Sequence, residues 1–266
     1  MADAYQRERG IAEQAVRAAG ALILGQLGTA GQVQFKSSVV DPVTAADRDS
    51  QMLIAERLLG AFPDDQLLGE EGDAGATAAS SGRLWIVDPI DGTVNFVHGY
   101  PVFAVSVALY ANEAVQVGVL YDPTRDEMFA ATRGTGATLN GRPIAISETG
   151  ELIAAMVATG FPYDLAARRE VLPLFGAIVE RTQAVRRDGS AALNLAYVAC
   201  GRFDAYWEQD VQPWDIAAAA LLLEEAGGRL SGYDGSPFDL WAHKIVASNG
   251  RIHDALLDLI ASVIRE

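Results

Sequence analysis

The apolar run Leu84-Trp85-Ile86-Val87 ends abruptly on acid, in Asp88-Pro89-Ile90-Asp91-Gly92-Thr93. This constrains the fold strongly, because a carboxylate at the end of a buried strand is costly unless something cationic meets it. Carboxylates stand beside apolar runs in two more places, Leu68-Gly69-Glu70-Glu71-Gly72 and Pro213-Trp214-Asp215-Ile216. Mg2+ is the natural partner, a hard cation that prefers oxygen ligands in octahedral geometry. Asp88 and Asp91 are three residues apart and Pro89 stiffens the bend between them. That spacing can turn both carboxylates and the Ile90 carbonyl toward one point. Gly92 permits close backbone approach, and Thr93 can open a helix whose free N–H groups attract an anion. Metal ligands followed at once by an anion-binding helix start are what phosphate-ester hydrolysis needs. A generic Asp-x-x-Asp-Gly also arises as a strand-end acid followed by an ordinary turn, so the short motif alone leaves both readings open.

The charge balance adds a hint. Against 20 Lys and Arg stand 35 Asp and Glu, a net charge of -15. Such a surface repels nucleic-acid backbones. It would also repel a phosphorylated substrate, unless some of the acids hold divalent cations that invert the local field. Half of the chain is hydrophobic, enough for a sizeable core. The longest apolar stretches break well before 18 residues, so no transmembrane helix is expected, and no secretory signal is visible. One cysteine, Cys200, cannot form an internal disulfide. The expected location is a reducing cytoplasm, which a single cysteine fits.

Apolar residues at helical spacing predict an amphipathic helix over about 4–27, and a second over about 45–60 capped by Thr44 or Asp41. Between them lies a polar loop, 35–43. The run 84–87 reads as a buried strand that stops at Pro89. Period-two alternation over 103–109 and again at Val115, Val117 and Val119, with Ala111-Asn112-Glu113 between, predicts an antiparallel hairpin. A third strand follows over 128–132, and Asn140-Gly141 marks a tight turn. Downstream, strands alternate with helices at about 165–181, 190–201, 214–226 and 250–264, the third stopped by Gly227-Gly228. The most loop-like stretch is 74–82. The expectation is one layered α/β unit over 1–266, in two halves, a metal and phosphate half over about 1–145 and a substrate half over about 146–266.

Read as a whole, Trp85-Ile86-Val87-Asp88-Pro89-Ile90-Asp91-Gly92-Thr93-Val94-Asn95-Phe96 resembles the first signature of the inositol monophosphatase family. The second is matched by Trp214-Asp215-Ile216-Ala217-Ala218 running through Glu225-Ala226-Gly227-Gly228. Gly69-Glu70-Glu71, then Lys36-Ser37-Ser38 with Asp41, Val43-Thr44 and Asp47, then Gly189-Ser190-Ala191-Ala192-Leu193-Asn194 and Tyr206-Trp207-Glu208 fall in the family's order. The resemblance runs from about residue 11 to 260.

The resemblance implies an α-β-α-β-α sandwich of the sugar-phosphatase type, a homodimer, two to three Mg2+ per site and inhibition by Li+. Carried over, Glu70, Asp88 and the Ile90 carbonyl would hold one metal. Asp88, Asp91 and Asp215 would hold a second, and a weaker third would sit near Glu70. A water near Glu70 and Thr93 would attack phosphorus, oriented through a hydrogen bond between Asp47 and Thr93. The Gly92 and Thr93 N–H groups would take phosphate oxygens. Asp91, Ala191 and Glu208 would face sugar hydroxyls, and Asp215 would lie where the leaving oxygen departs. The implied reaction is hydrolysis of a small phosphorylated alcohol, inositol 1-phosphate first. Histidinol phosphate is the runner-up, with fructose 1,6-bisphosphate and 3'-phosphoadenosine 5'-phosphate handled by the same fold. A regulatory role in binding RNA or the transcription machinery is disfavoured by the charge and the intact acids.

Physical chemistry agrees with several of these assignments. Asp215 in the first turn of a helix is favoured by the helix dipole. A carboxylate such as Glu208 can accept from two adjacent hydroxyls. The resemblance, which places the ligand first after the glycine, implies that Glu70 rather than Glu71 points inward. Lys36 either closes over the phosphate or is an ordinary solvated lysine. Trp85 and Trp214 read as core residues, Cys200 as a buried, unreactive thiol, and the three histidines carry no chemistry. Val94 replaces a second threonine at a position that should not touch the metals. Asp188 adds an acid near the expected substrate mouth, where it either pairs with Arg187 or shifts preference toward a less anionic or amine-bearing substrate.

Overall fold

The computed structural model describes residues 4–28, 34–35, 42–72 and 82–264. Lys36, the loop residues 36–41 and nearly all of the stretch 74–82 lie outside them.

The helices are α1 (Gln6–Gln26), α2 (Ala45–Ala61), α3 (Thr93–Val97), α4 (Leu165–Val179), α5 (Ala191–Ala199), α6 (Pro213–Glu225) and α7 (His253–Ile264). Two short strands, β1 (Gln34–Phe35) and β2 (Pro42–Val43), pair with each other. The first large sheet holds β3 (Gln66–Gly69), β4 (Arg83–Asp91), β5 (Ala104–Ala111), β6 (Ala114–Asp122), β7 (Glu127–Thr132), β8 (Ala137–Leu139) and β9 (Arg142–Pro143) in that spatial order. Only its β3–β4 pair is parallel. The second sheet is built from β10 (Met156–Thr159), β11 (Ala184–Arg186), β12 (Ala205–Gln209), β13 (Arg229–Ser231) and β14 (Lys244–Ser248), ordered β11-β10-β12-β14-β13.

Three apolar clusters give the layering. Ala12, Ala15, Val16, Ala19 and Ile23 of α1, with Ile54 and Leu58 of α2, pack on the face of the first sheet that carries Trp85, Val87, Val105 and Val107. The opposite face, with Ile86, Ala108 and Leu120, shares a core with α5, α6 and the Tyr206 and Ile245 face of the second sheet. Beyond that sheet, Val157, Trp207 and Val246 pack against Leu174 and Ile178 of α4 and Leu256 and Ile260 of α7. The result is an α-β-α-β-α sandwich. Because both faces of β4 are covered, 84–87 reads as an unbroken apolar run rather than an alternating one.

Local chemistry explains the turns. The β5–β6 hairpin closes on Asn112 and Glu113 at φ 51° and 62°, and the β8–β9 turn on Asn140 and Gly141 at φ 50° and 76°, the left-handed pairs that a two-residue hairpin requires. Thr44 caps α2: its side chain accepts from Ala46 N–H at 3.1 Å, while Asp47 accepts the Thr44 N–H at 2.8 Å.

The expectation that the strand stops at Pro89 is corrected: β4 continues to Asp91. It survives proline because the parallel partner β3 reaches only Val87, and because the pairing with β5 slips between Asp88 and Asp91. The missing N–H therefore falls in a bulge, with no ladder bond to lose.

Candidate active site

A cavity of about 380 Å³ opens at the carboxyl ends of β4, β10 and β12. The bulge in β4 delivers Asp88 and Asp91 to its floor, both buried. Within the bulge, Ile90 N–H donates to Asp88 Oδ1 at 3.0 Å and Ser50 Oγ donates to the Pro89 carbonyl at 3.1 Å. Asp215 arrives from the other side, in the first turn of α6, where it accepts the Gln212 N–H at 2.8 Å. The position of α6 is set by close packing: a Cβ at Gly118 of β6 would stand 2.5 Å from the Ala218 carbonyl oxygen. Ser106, paired with Asp88 across β4–β5, donates to the Trp214 carbonyl at 3.4 Å.

One carboxylate oxygen from each of Asp88, Asp91 and Asp215 lies within 4.8 Å of the others. No lysine or arginine forms an ion pair with any of the three among the described residues. Burial, then the charges of Glu70, Asp91 and Asp215, push the Asp88 carboxyl well above the usual range. Burial and the charges of Glu70 and Asp91 do the same to Asp215. Asp91 is pushed up to about 7 by burial, against the opposing hydrogen bonds from Ser190 and Ala192. Burial and mutual repulsion thus disfavour the charged forms, and an all-oxygen, like-charged set of this kind fits a hard divalent ion.

Glu70 also lines the cavity, close enough for its charge to add to burial in raising Asp88. It sits in a turn held by Gln51, which accepts the Glu71 N–H at 3.0 Å and donates to the Gly72 carbonyl at 2.9 Å. Glu71 is not among the lining residues. Gly92 adopts φ 97°, with Val102 and Gly189 carbonyls 3.0 and 3.2 Å from where a Cβ would be, so only glycine turns the chain here. The Gly92 and Thr93 N–H groups have no protein acceptor among the described residues. Because α3 is five residues long, these donors act singly and the helix adds little field. Thr93 Oγ1 lies 3.0 Å from both Asp47 Oδ1 and the Ile90 carbonyl. Asp47 is buried and anchored by Thr44.

The second sheet supplies the opposite wall, with Glu208 at the end of β12 and Ala191 at the start of α5. Glu208 accepts a hydrogen bond from Tyr206. Burial raises it to about 7, opposed by Tyr206 and by the nearby Arg187. Arg187 is the one lysine or arginine lining the cavity among the described residues.

Several contacts here escaped the sequence reading. Ser190 and the Ala191 and Ala192 N–H groups all donate to Asp91. A serine before a helix is a legible cap, but its partner lies 99 residues away. The segment 160–164 after β10 and Asn194 of α5 also line the cavity. Three expectations change. Trp214 is half-buried and lines the cavity, because it precedes Asp215 at the exposed end of α6, whereas Trp85 is fully buried. Cys200 is half-buried at the carboxyl end of α5, its thiol pushed up by burial. Asp188 neither lines the cavity nor pairs with Arg187 among the described residues; its carbonyl accepts from Asn95 at 2.7 Å.

Comparison with known proteins agrees with this geometry. Residues 5–265 match the profile described as the inositol monophosphatase family. The chain is 44% identical over 254 residues to an inositol-1-monophosphatase of Synechocystis sp., covering 95% of this chain and 88% of that one. It is 40% identical to the Nus factor SuhB of Pseudomonas aeruginosa, covering 94% of each. The solved inositol monophosphatase of Anabaena (Nostoc) sp. superposes with a TM-score of 0.86 at 43% identity, covering 97% of this chain and 96% of that one. The chain belongs to the inositol monophosphatase family, metal-dependent hydrolases of phosphoric monoesters.

Proposed function

We propose that this protein hydrolyses a small phosphorylated alcohol in the cytoplasm, inositol 1-phosphate first, using two to three Mg2+ per site and working as a Li+-sensitive homodimer. The observation that carries the reading is the meeting of Asp88, Asp91 and Asp215 within 4.8 Å, with no basic residue to neutralise them among the described residues. Glu70, Asp88 and the Ile90 carbonyl would hold one cation, and Asp88, Asp91 and Asp215 a second, with a weaker third near Glu70. Bound there, divalent cations neutralise ester oxygens, raise the acidity of water and stabilise the leaving alkoxide.

The chain's own groups do the rest. Gly92 and Thr93 N–H groups take phosphate oxygens. Asp47 accepts the Thr93 hydroxyl proton, which leaves the Thr93 oxygen as an acceptor that orients a water together with Glu70. Glu208, Asp91 and the backbone at Ala191 receive hydroxyls of the alcohol, and Asp215 stands beside the departing oxygen. No covalent phosphoenzyme is required; the work is positioning and charge stabilisation. Lys36, as a phosphate clamp, belongs to the same reading.

The Pseudomonas relative's name favours a second reading, binding to the transcription machinery. A net charge of -15 opposes direct RNA affinity, and a retained acid cluster has no purpose in that role.

Phosphate release from inositol 1-phosphate, histidinol phosphate, fructose 1,6-bisphosphate and 3'-phosphoadenosine 5'-phosphate tests the proposal. Turnover should require Mg2+, vanish with EDTA and favour inositol 1-phosphate. Full turnover in EDTA, or none with any of the four, would overturn it.

A further inference from the structure

Asn194 is 1% exposed on α5, yet its Oδ1 accepts no hydrogen bond from any described residue. Most neighbours along α5, such as Leu193, Leu195 and Ala196, are buried apolar residues of the central core. A carboxamide kept in such surroundings without a partner lowers stability. Leucine has the same branching and number of side-chain heavy atoms and would have avoided that cost. The side chain is not wholly sealed in, however, because it lines the cavity.

Its direction follows from the helix. Asn194 N–H donates to the Ser190 carbonyl at 3.1 Å, so Asn194 lies one turn beyond Ser190, on the face that carries Ser190 and Ala191. That face is pinned to the acid cluster by the donors that Ser190, Ala191 and Ala192 give to Asp91. Across the cavity stand Gly160 and Glu208; a Cβ at Gly160 would fall 2.0 Å from Glu208 Oε1, so the glycine leaves room for the Glu208 carboxylate to sit at the cavity wall. Trp214 supplies an apolar wall.

A neutral carboxamide adds little to holding a cation or a phosphoryl group, both of which are provided for by the acids and the Gly92–Thr93 turn. It offers one acceptor and one donor edge, which matches a hydroxyl, itself both donor and acceptor. We infer that Asn194 is a specificity residue that reads a hydroxyl of the alcohol portion of the substrate, alongside Glu208. The inference rests on the phosphomonoesterase reading above and extends its substrate site by one residue. A site built to bond a hydroxyl discriminates against analogues that lack one, because the polar group is then stranded.

The test compares wild type with Asn194→Leu and Asn194→Ala on two substrates with saturating Mg2+. Inositol 1-phosphate carries several hydroxyls, whereas p-nitrophenyl phosphate has none on its leaving group. The ratio of kcat/KM between the two should fall by about tenfold or more in both variants, chiefly through KM for inositol 1-phosphate, while Asn194→Leu melts no lower than wild type. A ratio within twofold of wild type in either folded variant would overturn the inference, since a purely structural role moves both substrates together. Should wild type cleave p-nitrophenyl phosphate and not inositol 1-phosphate, the substrate named above fails on its own. The ratio is then read with glycerol 2-phosphate, whose hydroxyls pose the same question.

Discussion

Asp91, at the end of the first sheet, accepts the Ala192 N–H at 3.0 Å across 101 residues of chain. It thereby caps α5 with a carboxylate that also belongs to the acid cluster. The amino end of α5 favours the ionised form, while burial opposes it. The end of β4 and the start of α5 therefore meet at a group whose charge state both of them govern.

Removing one donor from that contact has a measurable cost. Ser190→Ala leaves the backbone donors of Ala191 and Ala192 but takes away the side-chain bond to Asp91. The Mg2+ concentration for half-maximal activity should rise about 10-fold or more, the usual scale for a group that supports a metal ligand. An unchanged Mg2+ dependence would show that the Ser190 bond plays no part in cation binding.

Asp88 has the most central place among the acids, raised by burial and the charges of Glu70, Asp91 and Asp215 and with an oxygen within 4.8 Å of oxygens of the last two. Asp88→Asn should lower kcat/KM by about 10³-fold or more, because one substitution weakens both proposed cation positions. Steady-state rates within tenfold of wild type would contradict the shared role.

Stability should respond to pH through His253, which is fully buried. Ser231 Oγ donates to the Gly232 carbonyl at 2.9 Å, so it must accept from His253 Nε2 at 2.9 Å, while Nδ1 accepts from Ser248 Oγ at 2.8 Å. Burial, with a smaller push from Arg229, lowers the imidazole to about 4 from its ordinary 6.5. The unfolded chain takes up the proton first on acidification, so this group's contribution is present above about 6.5 and lost as pH falls toward 4, a term on the order of 3 kcal/mol. His253→Gln should melt below wild type at pH 7.5, and the gap should narrow by pH 4.5 in paired thermal scans. A gap independent of pH would assign the loss to packing alone.

Gly118→Ala tests how α6 is seated. The added methyl would press on the Ala218 carbonyl of the helix backbone, which cannot rotate away, and overpacking of this kind costs about 1–3 kcal/mol. Denaturant unfolding should show that loss, and Mg2+ affinity should fall with it because Asp215 rides on α6. A stable variant with normal affinity would mean that the helix shifts without moving its first turn.

Much of this protein could be read locally. The β5–β6 hairpin, the helix extents and the Thr44 cap follow from periodicity and turn chemistry that operate over a few residues, and the structure has them within a few positions of expectation. The clustering of carboxylates at the ends of apolar runs in the sequence points to a cation. Other features had no local signal. β4 passes Pro89 only because its neighbour stops short and the pairing slips. Trp214 faces the cavity only because α6 ends there. The partners of Asp91 lie about a hundred residues away, and Asn194 looks like one more polar residue on an apolar helix until the second sheet closes over it. Sequence by itself determined the periodicities, the turns and which acids would be difficult to bury, since these depend on backbone geometry and solvation within a short window. Only the stacking of two sheets around α5 and α6 decided which of those groups share a pocket, because that depends on packing between segments that no local pattern encodes.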